Sequence, residues 1–264
     1  MKNILDLEGR IGMITGAGQG IGRQIALHFA AHNAQGVVVN DYHLERAEKV
    51  AAEIESAGGN ALPLQADVTD YESVGRMVDT AKSHYSQPID ILVNNAGNAG
   101  AGPGSVQSGV PFWESEPESW EGWLKVNLNG VLNSCRATIP GMIEQKEGRI
   151  ITIISDAGRV GEPHLSVYSA AKAGAGGFMR ALAKSLGKYN INANSVAIGA
   201  TRTPRIENRL EDTERVRKML KNYVIRRIGE PDDIANMVLF LSSDASSWIT
   251  GQTYPVNGGY SFNQ

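Results

Sequence analysis

Thr15-Gly16-Ala17-Gly18-Gln19-Gly20-Ile21-Gly22 follows an apolar run, Arg10 to Thr15, and opens directly into an amphipathic stretch, Gly20 to His32. Glycine has no Cβ, so a backbone built of it can approach a ligand closely. The start of a helix adds free N–H groups and the positive end of its dipole, which together favour an anion such as phosphate. The spacing is G-x-x-x-G-x-G on Gly16, Gly20 and Gly22, with Ile21 standing where a G-x-G-x-x-G turn has its last glycine. A tight turn with glycines placed for packing is the competing explanation. The next apolar run, Val37 to Asp41, weakens it by ending in Asn40-Asp41, 19 residues after Gly22. An acid at that point accepts hydrogen bonds from a ribose 2′-hydroxyl and repels a 2′-phosphate, which favours NAD over NADP. Gly16, Gln19, Gly20, Ile21 and Gly22 form the expected pyrophosphate cradle, and Asp41 the ribose ligand. Arg23 and Arg46 are the nearby cations that would suit a 2′-phosphate, although both fall on helix faces that are more often solvated.

Outward from this turn, strand-length apolar runs alternate with helical stretches. Helices are predicted near Leu44 to Ala57, Tyr71 to Tyr85, Pro117 to Ile143 and Ser166 to Lys188, with strands near Ala61 to Ala66, Ile89 to Asn94, Arg149 to Ser155 and Asn190 to Val196. Strands separated by helices need right-handed crossovers, and these produce a parallel sheet covered on both faces. The fold class is therefore α/β, a doubly wound, Rossmann-like parallel sheet. No linker or low-complexity tract divides the chain, so residues 1–264 read as one dinucleotide-binding and catalytic domain. Ligands of such sheets bind beyond the carboxyl ends of the strands, which directs attention to the residues just after Ile14, Val39, Val93, Ile154 and Val196.

Composition narrows the function. With 42% apolar and 20% charged residues and a net charge of −3, the chain is ordinary globular material and gives no reason to expect nucleic acid as a partner. Met1 to Arg10 carries four charged residues and lacks the apolar segment of a signal peptide, and no run is long enough to span a membrane. The single cysteine, Cys135, rules out an intrachain disulfide and suits a reducing compartment, so a cytoplasmic location is expected. No His/Cys/Asp spacing predicts a metal site.

Chemistry enters with Tyr168-Ser169-Ala170-Ala171-Lys172, which puts a phenol and an ammonium four residues apart on one helix face. Tyrosine ionises near pH ~10, so acid/base work at neutral pH needs a neighbouring cation. Two exposed polar groups on an amphipathic helix would give the same spacing. Three further features favour the chemical reading: Ser155 ends the preceding strand, Asn94-Asn95-Ala96-Gly97 ends an earlier one, and Asn127 is polar within an apolar helical stretch.

Over essentially its whole length the chain resembles the short-chain dehydrogenase/reductase family. The matching motifs are Thr15 to Gly22, Asp67-Val68, Asn94 to Gly97, Asn127, Ser155, Tyr168 with Lys172, and Val256-Asn257-Gly258-Gly259. The resemblance implies a tetrad of Asn127, Ser155, Tyr168 and Lys172. In it Tyr168 exchanges a proton with the substrate oxygen, Ser155 polarises that oxygen, Lys172 binds the nicotinamide ribose and lowers the Tyr168 pKa, and Asn127 holds a relay water. It also implies that Asp67 and Val68 contact adenine, that Asn94, Ala96 and Gly97 border the adenosine side, and that Gly199, Thr201 and Thr203 lie beside the nicotinamide. A homotetramer or homodimer is implied as well. One departure is visible: Ala197-Ile198-Gly199 stands where the family usually has a Pro-Gly pair, so the backbone beside the nicotinamide lacks the fixed φ of proline.

Two segments are expected to set specificity. Asn98 to Glu116 is a glycine-rich loop, with Phe112 and Trp113 as possible substrate contacts or loop anchors; His164, near the expected pocket, reads as a turn cap. The second is a helical substrate lid at about 200–230. Within it Arg202 to Arg227 holds nine Arg or Lys residues against Glu207, Glu211, Asp212 and Glu214, a local balance of about +5. Such a lid would attract an anionic hydroxyacyl compound or a coenzyme A thioester; a solvated helix face is the plainer account. Ser155 to Gly161 also resembles the matching run of hydroxyacyl-CoA dehydrogenases of alicyclic acid degradation. The expected activity is NAD-dependent interconversion of a secondary alcohol and a ketone. An NADPH-dependent 3-oxoacyl or ketone reductase and a non-catalytic dinucleotide-binding interaction protein are the alternatives.

Overall fold

Apolar residues at alternate positions divide two hydrophobic layers between the faces of one sheet. In β2 (Gly36–Asp41) Val37 and Val39 enter one layer and Val38 the other; in β4 (Ile91–Asn94) Ile91 and Val93 part from Leu92 in the same way. The first layer is closed by α1 (Gly20–Ala31) and α2 (Leu44–Ser56), through Ile25, Phe29, Val50 and Ile54. The second is closed by α3 (Tyr71–Tyr85), through Val74, Met77 and Tyr85. Burial on both faces explains why these strands read as continuous apolar runs.

The computed structural model describes residues 3–97, 111–204, 206–207 and 213–263. Among them the sheet has seven parallel strands in the order β3-β2-β1-β4-β5-β6-β7. β1 is Ile11–Ile14, β3 Ala61–Gln65, β5 Gly148–Ser155, β6 Ile191–Ile198 and β7 Thr253–Val256. The strand order reverses between β1 and β4, so their carboxyl ends flank the crevice where such sheets bind ligands. The fold is the doubly wound, Rossmann-like parallel sheet.

Two differences from the sequence pattern bear on the site. The single helix predicted from Pro117 to Ile143 is instead a succession: a 3-10 turn at Pro117–Trp120, α4 (Glu121–Leu124), a π turn at Lys125–Asn129, and α5 (Gly130–Gln145). The π turn closes through the Gly130 N–H donating to the Lys125 carbonyl, and the Asn127 side chain donates to the Trp123 carbonyl at 3.0 Å, a side-chain bond within the helix ladder. Second, β6 continues two residues past Val196, because β7 pairs Ala197 with Pro255 and Ile198 with Val256. β5 leads into α6 (Ala157–Val160) and then α7 (Ser166–Leu186), which packs on the second layer through Ala175 and Met179. Beyond β6 lie α8 (Thr213–Leu220) and α9 (Pro231–Ser242). Pro231 opens α9 inside a capping box of Glu230 and Asp233.

Candidate active site

The glycine turn joins β1 to α1, and its conformation depends on glycine at two points. Gly16 and Gly20 have φ of +63° and +56°. A Cβ on Gly16 would lie 2.9 Å from the Ala96 Cα, so no other residue fits without displacing the end of β4. Asn95 stitches the two ends together: its Nδ2 donates to the carbonyls of Thr15 and Gly16 at 3.0 and 2.9 Å. The Thr15 hydroxyl oxygen accepts the N–H groups of Asn95 and Ala96, both at 3.1 Å. The result is a fixed turn leading into the start of α1, where helix geometry leaves the first N–H groups without an acceptor in the preceding turn, a polarity that fits a dinucleotide pyrophosphate.

Asp41, buried at the end of β2, aims its carboxylate at this turn. Oδ2 accepts the Gly18 N–H at 3.1 Å and Oδ1 the His43 N–H at 3.0 Å. Arg46 is close by, since a Cβ on Gly18 would meet Arg46 Cβ at 2.5 Å and Asp41 Oδ2 at 2.6 Å. Asp67, Tyr42, Ser73 and Arg76 border a cavity of about 410 Å³ at the end of β3. Val68 packs on Gly130, and its carbonyl accepts from Asn133 at 2.9 Å. Asn94 points inward: its Nδ2 donates to Thr152 Oγ1 at 3.1 Å and to Cys135 Sγ at 3.4 Å, so a ligand in the crevice meets its backbone and not its amide. Burial pushes the Cys135 thiol up to about 12, and the group stays neutral.

Across the crevice, three of the four tetrad candidates meet. Lys172 of α7 is buried, and its Nζ donates to the Ile153 carbonyl of β5 at 2.9 Å. The same Nζ lies 5.9 Å from the centre of the Tyr168 ring, which is one helical turn away. Asn127, on the π turn, comes to the same place: a Cβ on Gly97 would sit 3.1 Å from Asn127 Oδ1 and 3.3 Å from Lys172 Nζ. Burial lowers the Lys172 pKa to about 8. Ser155 ends the strand that anchors Lys172, two residues after Ile153, and its Oγ accepts the Ala157 N–H at 3.2 Å. On the far side Thr203 approaches the glycine turn, with its Cγ2 3.3 Å from a Cβ on Gly20. Thr201 is buried and its hydroxyl donates to the Gly199 carbonyl at 3.1 Å.

Trp123, Ser115 and Asp156, which sequence spacing did not single out, join Phe112 and His164, which it did, in completing the surroundings. Trp123 packs edge to face on Tyr168, with centroids 5.5 Å apart, and its carbonyl holds Asn127. Its position four residues before Asn127 was the available signal. Phe112, Ser115, Trp123, His164 and Tyr168 line a small cavity of about 20 Å³. Phe112 also stacks on Trp120 at 5.1 Å, whereas Trp113 is 81% exposed. His164 has φ of +64°, so it is both a turn residue and part of the pocket wall. Asp156, next to Ser155, is buried and fully engaged: Oδ1 accepts from Arg159 at 2.7 Å and Ser261 at 2.9 Å, and Oδ2 from Asn257 at 2.6 Å. This clamp ties the end of β5 to the segment after β7.

The segment from Arg202 to Arg227 is less cationic than its sequence window implies. Arg202 pairs with Glu230 at 3.0 Å, Arg227 binds Asp233 through both nitrogens at 2.6 and 2.7 Å, and Lys218 pairs with Glu214 at 2.8 Å. Glu230 and Asp233 lie outside the window and offset part of its excess. Arg205, Arg209, Glu211, Asp212 and most of the Asn98 to Glu116 loop lie outside the described residues. Among those described, no cluster of three His, Cys, Asp or Glu residues forms a metal site, and no helix is long and apolar enough to cross a membrane.

The chain is similar to known proteins over nearly its whole length. A family model described as enoyl-(acyl carrier protein) reductase matches residues 16–261. The chain is 35% identical over 253 residues to a 3-oxoacyl-[acyl-carrier-protein] reductase of Thermotoga maritima, covering 96% of this chain and 98% of the relative. It is 36% identical over 255 residues to the 7alpha-hydroxysteroid dehydrogenase of Escherichia coli, covering 97% and 95%. Among solved structures, a 3-oxoacyl-[acyl-carrier protein] reductase of Brucella melitensis with bound NAD superposes with a TM-score of 0.85 at 34% identity, covering 98% of this chain and 95% of that one.

Proposed function

The chain belongs to the short-chain dehydrogenase/reductase family of oxidoreductases, and on that premise we propose that it interconverts a secondary alcohol and a ketone with NAD(H), using Tyr168 as acid/base. The observation that carries this reading is the convergence of Asn127 Oδ1 and Lys172 Nζ on Gly97, beside the Tyr168 ring. When bound, the dinucleotide supplies the hydride acceptor or donor. The protein's own part is proton handling. The Lys172 ammonium stabilises the Tyr168 phenolate, Tyr168 takes the proton from the alcohol or returns it to the ketone oxygen, and Ser155 donates a hydrogen bond to that oxygen. Asn127, held by the Trp123 carbonyl, positions a water beside Lys172 for proton exchange with solvent.

The turn of Gly16, Gln19, Gly20, Ile21 and Gly22 would hold the pyrophosphate. Asp41 would accept from the adenosine ribose, Asp67 and Val68 would border the adenine, and the backbones of Asn94, Ala96 and Gly97 the adenosine side. Gly199, Thr201 and Thr203 would lie beside the nicotinamide. Asp41 supports NAD over NADP, because its buried carboxylate faces Gly18 and a 2′-phosphate there would meet like charge. The second reading, an NADPH-dependent 3-oxoacyl or ketone reductase, is favoured by one specific observation, the closeness of Arg46 to the same turn. Our reading also includes a helical lid at about 200–230, a cytoplasmic location and a homotetramer or homodimer.

The test is reduced-nicotinamide absorbance with NAD and with NADP, using hydroxy acids as free acids and as coenzyme A thioesters beside neutral secondary alcohols. Turnover confined to thioesters assigns the basic lid a binding role. Turnover of neutral alcohols alone makes that lid a solvated face. No turnover of any of them, with NADH still bound, would instead favour a non-catalytic dinucleotide-binding protein.

A further inference from the structure

Helix α8 has no buried residue, so its own packing gives little hold on the body of the protein. The first buried residue after it is Tyr223, 7% exposed. Its hydroxyl oxygen accepts the Ala200 N–H at 3.0 Å. Its ring lies against the backbone of Gly199 and Gly258, each of whose Cβ positions would be 3.2 Å from it, and against Tyr260 with centroids 5.2 Å apart. The Ala200 carbonyl accepts the Gly229 N–H at 3.0 Å. Both backbone polar groups of Ala200 are thus bound by the arm that returns from α8. Ala200 lies between Gly199 and Thr201, in a stretch where Ile198 leaves φ unrestricted.

We propose that Tyr223 is a positioning residue that couples α8 to the cofactor-side loop: by holding the Ala200 N–H, it keeps Gly199 to Thr203 in the dinucleotide-binding arrangement. The inference rests on the dinucleotide-binding reading above. Without the hydroxyl, the Ala200 N–H loses its partner and the loop populates other conformations, so apparent affinity falls with the competent fraction. Coupling between two sites is reciprocal: if α8 and its arm favour cofactor binding, cofactor binding must favour their order by the same factor.

The experiment compares the natural protein with Tyr223→Phe, reading NADH affinity by fluorescence titration and α8 order by tryptic cleavage at Arg217 and Lys218, both exposed. The expected result is an NADH Kd raised about tenfold, a coupling of about 1.4 kcal/mol, with much of the NADH protection of α8 lost at saturation. A lower melting temperature with unchanged Kd and unchanged protection would make Tyr223 a packing residue and overturn the proposal. Should the variant fail to fold, hydrogen exchange on the natural protein decides: NADH must slow exchange in both 199–203 and 213–223, and slowing in the first alone refutes the coupling. If the natural protein binds no NADH, it is the underlying dinucleotide reading that falls.

Discussion

Lys172 on α7 and Ile153 on β5 are joined by one buried hydrogen bond, Nζ to carbonyl oxygen at 2.9 Å. It fixes the ammonium beneath the Tyr168 ring in surroundings where burial lowers its pKa to about 8 from the usual 10.5.

That shift has a definite consequence for stability. Below pH 8 the lysine is charged in both folded and unfolded chains, and the folded state carries the whole cost of burying the charge. Between 8 and 10.5 the unfolded chain binds a proton that the folded chain has released, so stability rises with pH and levels off above 10.5. The gap corresponds to about 3 kcal/mol. Relative to Lys172→Met, the natural protein should gain up to about that much between pH 7.5 and 10.5 in urea denaturation; parallel curves for the two proteins would contradict it.

Tyr168→Phe removes the hydroxyl to which we assign proton transfer and keeps the ring that packs on Trp123. We expect kcat to fall by roughly a thousandfold, with NADH affinity within a few-fold of the natural protein. Turnover near the original rate would assign the acid/base role elsewhere.

Asp41→Ala removes a group with two duties, since the carboxylate faces the expected ribose site and also holds the Gly18 and His43 N–H groups. The ratio of kcat/KM for NAD over NADP should fall about tenfold or more, which is ~1.4 kcal/mol of discrimination. NAD binding should weaken too, because the turn loses an anchor. An unchanged ratio would remove Asp41 from cofactor choice.

Gly16→Ala places a Cβ 2.9 Å from the Ala96 Cα at a φ of +63°. The strain is of order 1–3 kcal/mol, enough to shift the turn while leaving the two hydrophobic layers intact. NADH affinity should drop more than tenfold, with far-ultraviolet circular dichroism unchanged; unaltered affinity would show that the turn does not cradle the cofactor.

The same residues show how far one dimension reaches. The glycine turn, Asp41 at the end of β2 and the Tyr168–Lys172 spacing depend on local rules: side chains repeat every two residues in a strand and every 3.6 in a helix. For that reason the alternating elements up to Val196, and with them the doubly wound sheet, were legible, and the glycine turn, Asp41 and the Tyr168–Lys172 pair stood out as candidates, whereas Asp67, Val68, Gly199, Thr201 and Thr203 were implied only by the family resemblance. The π turn was not, because it replaces a helical period by a longer one while the apolar pattern continues through it. Nor was the path of β6 to Ile198, which depends on pairing with Val256, 58 residues away. Asp156 with Asn257 and Ser261, Tyr223 with Ala200, and Lys172 with Ile153 all join segments whose separation carries no period. The sequence by itself determined which residue types stand at the strand ends and helix starts. Only the tertiary structure decided which of them touch, because those contacts depend on crossovers and loops closing in three dimensions, and on burial that exists only once the two layers have packed.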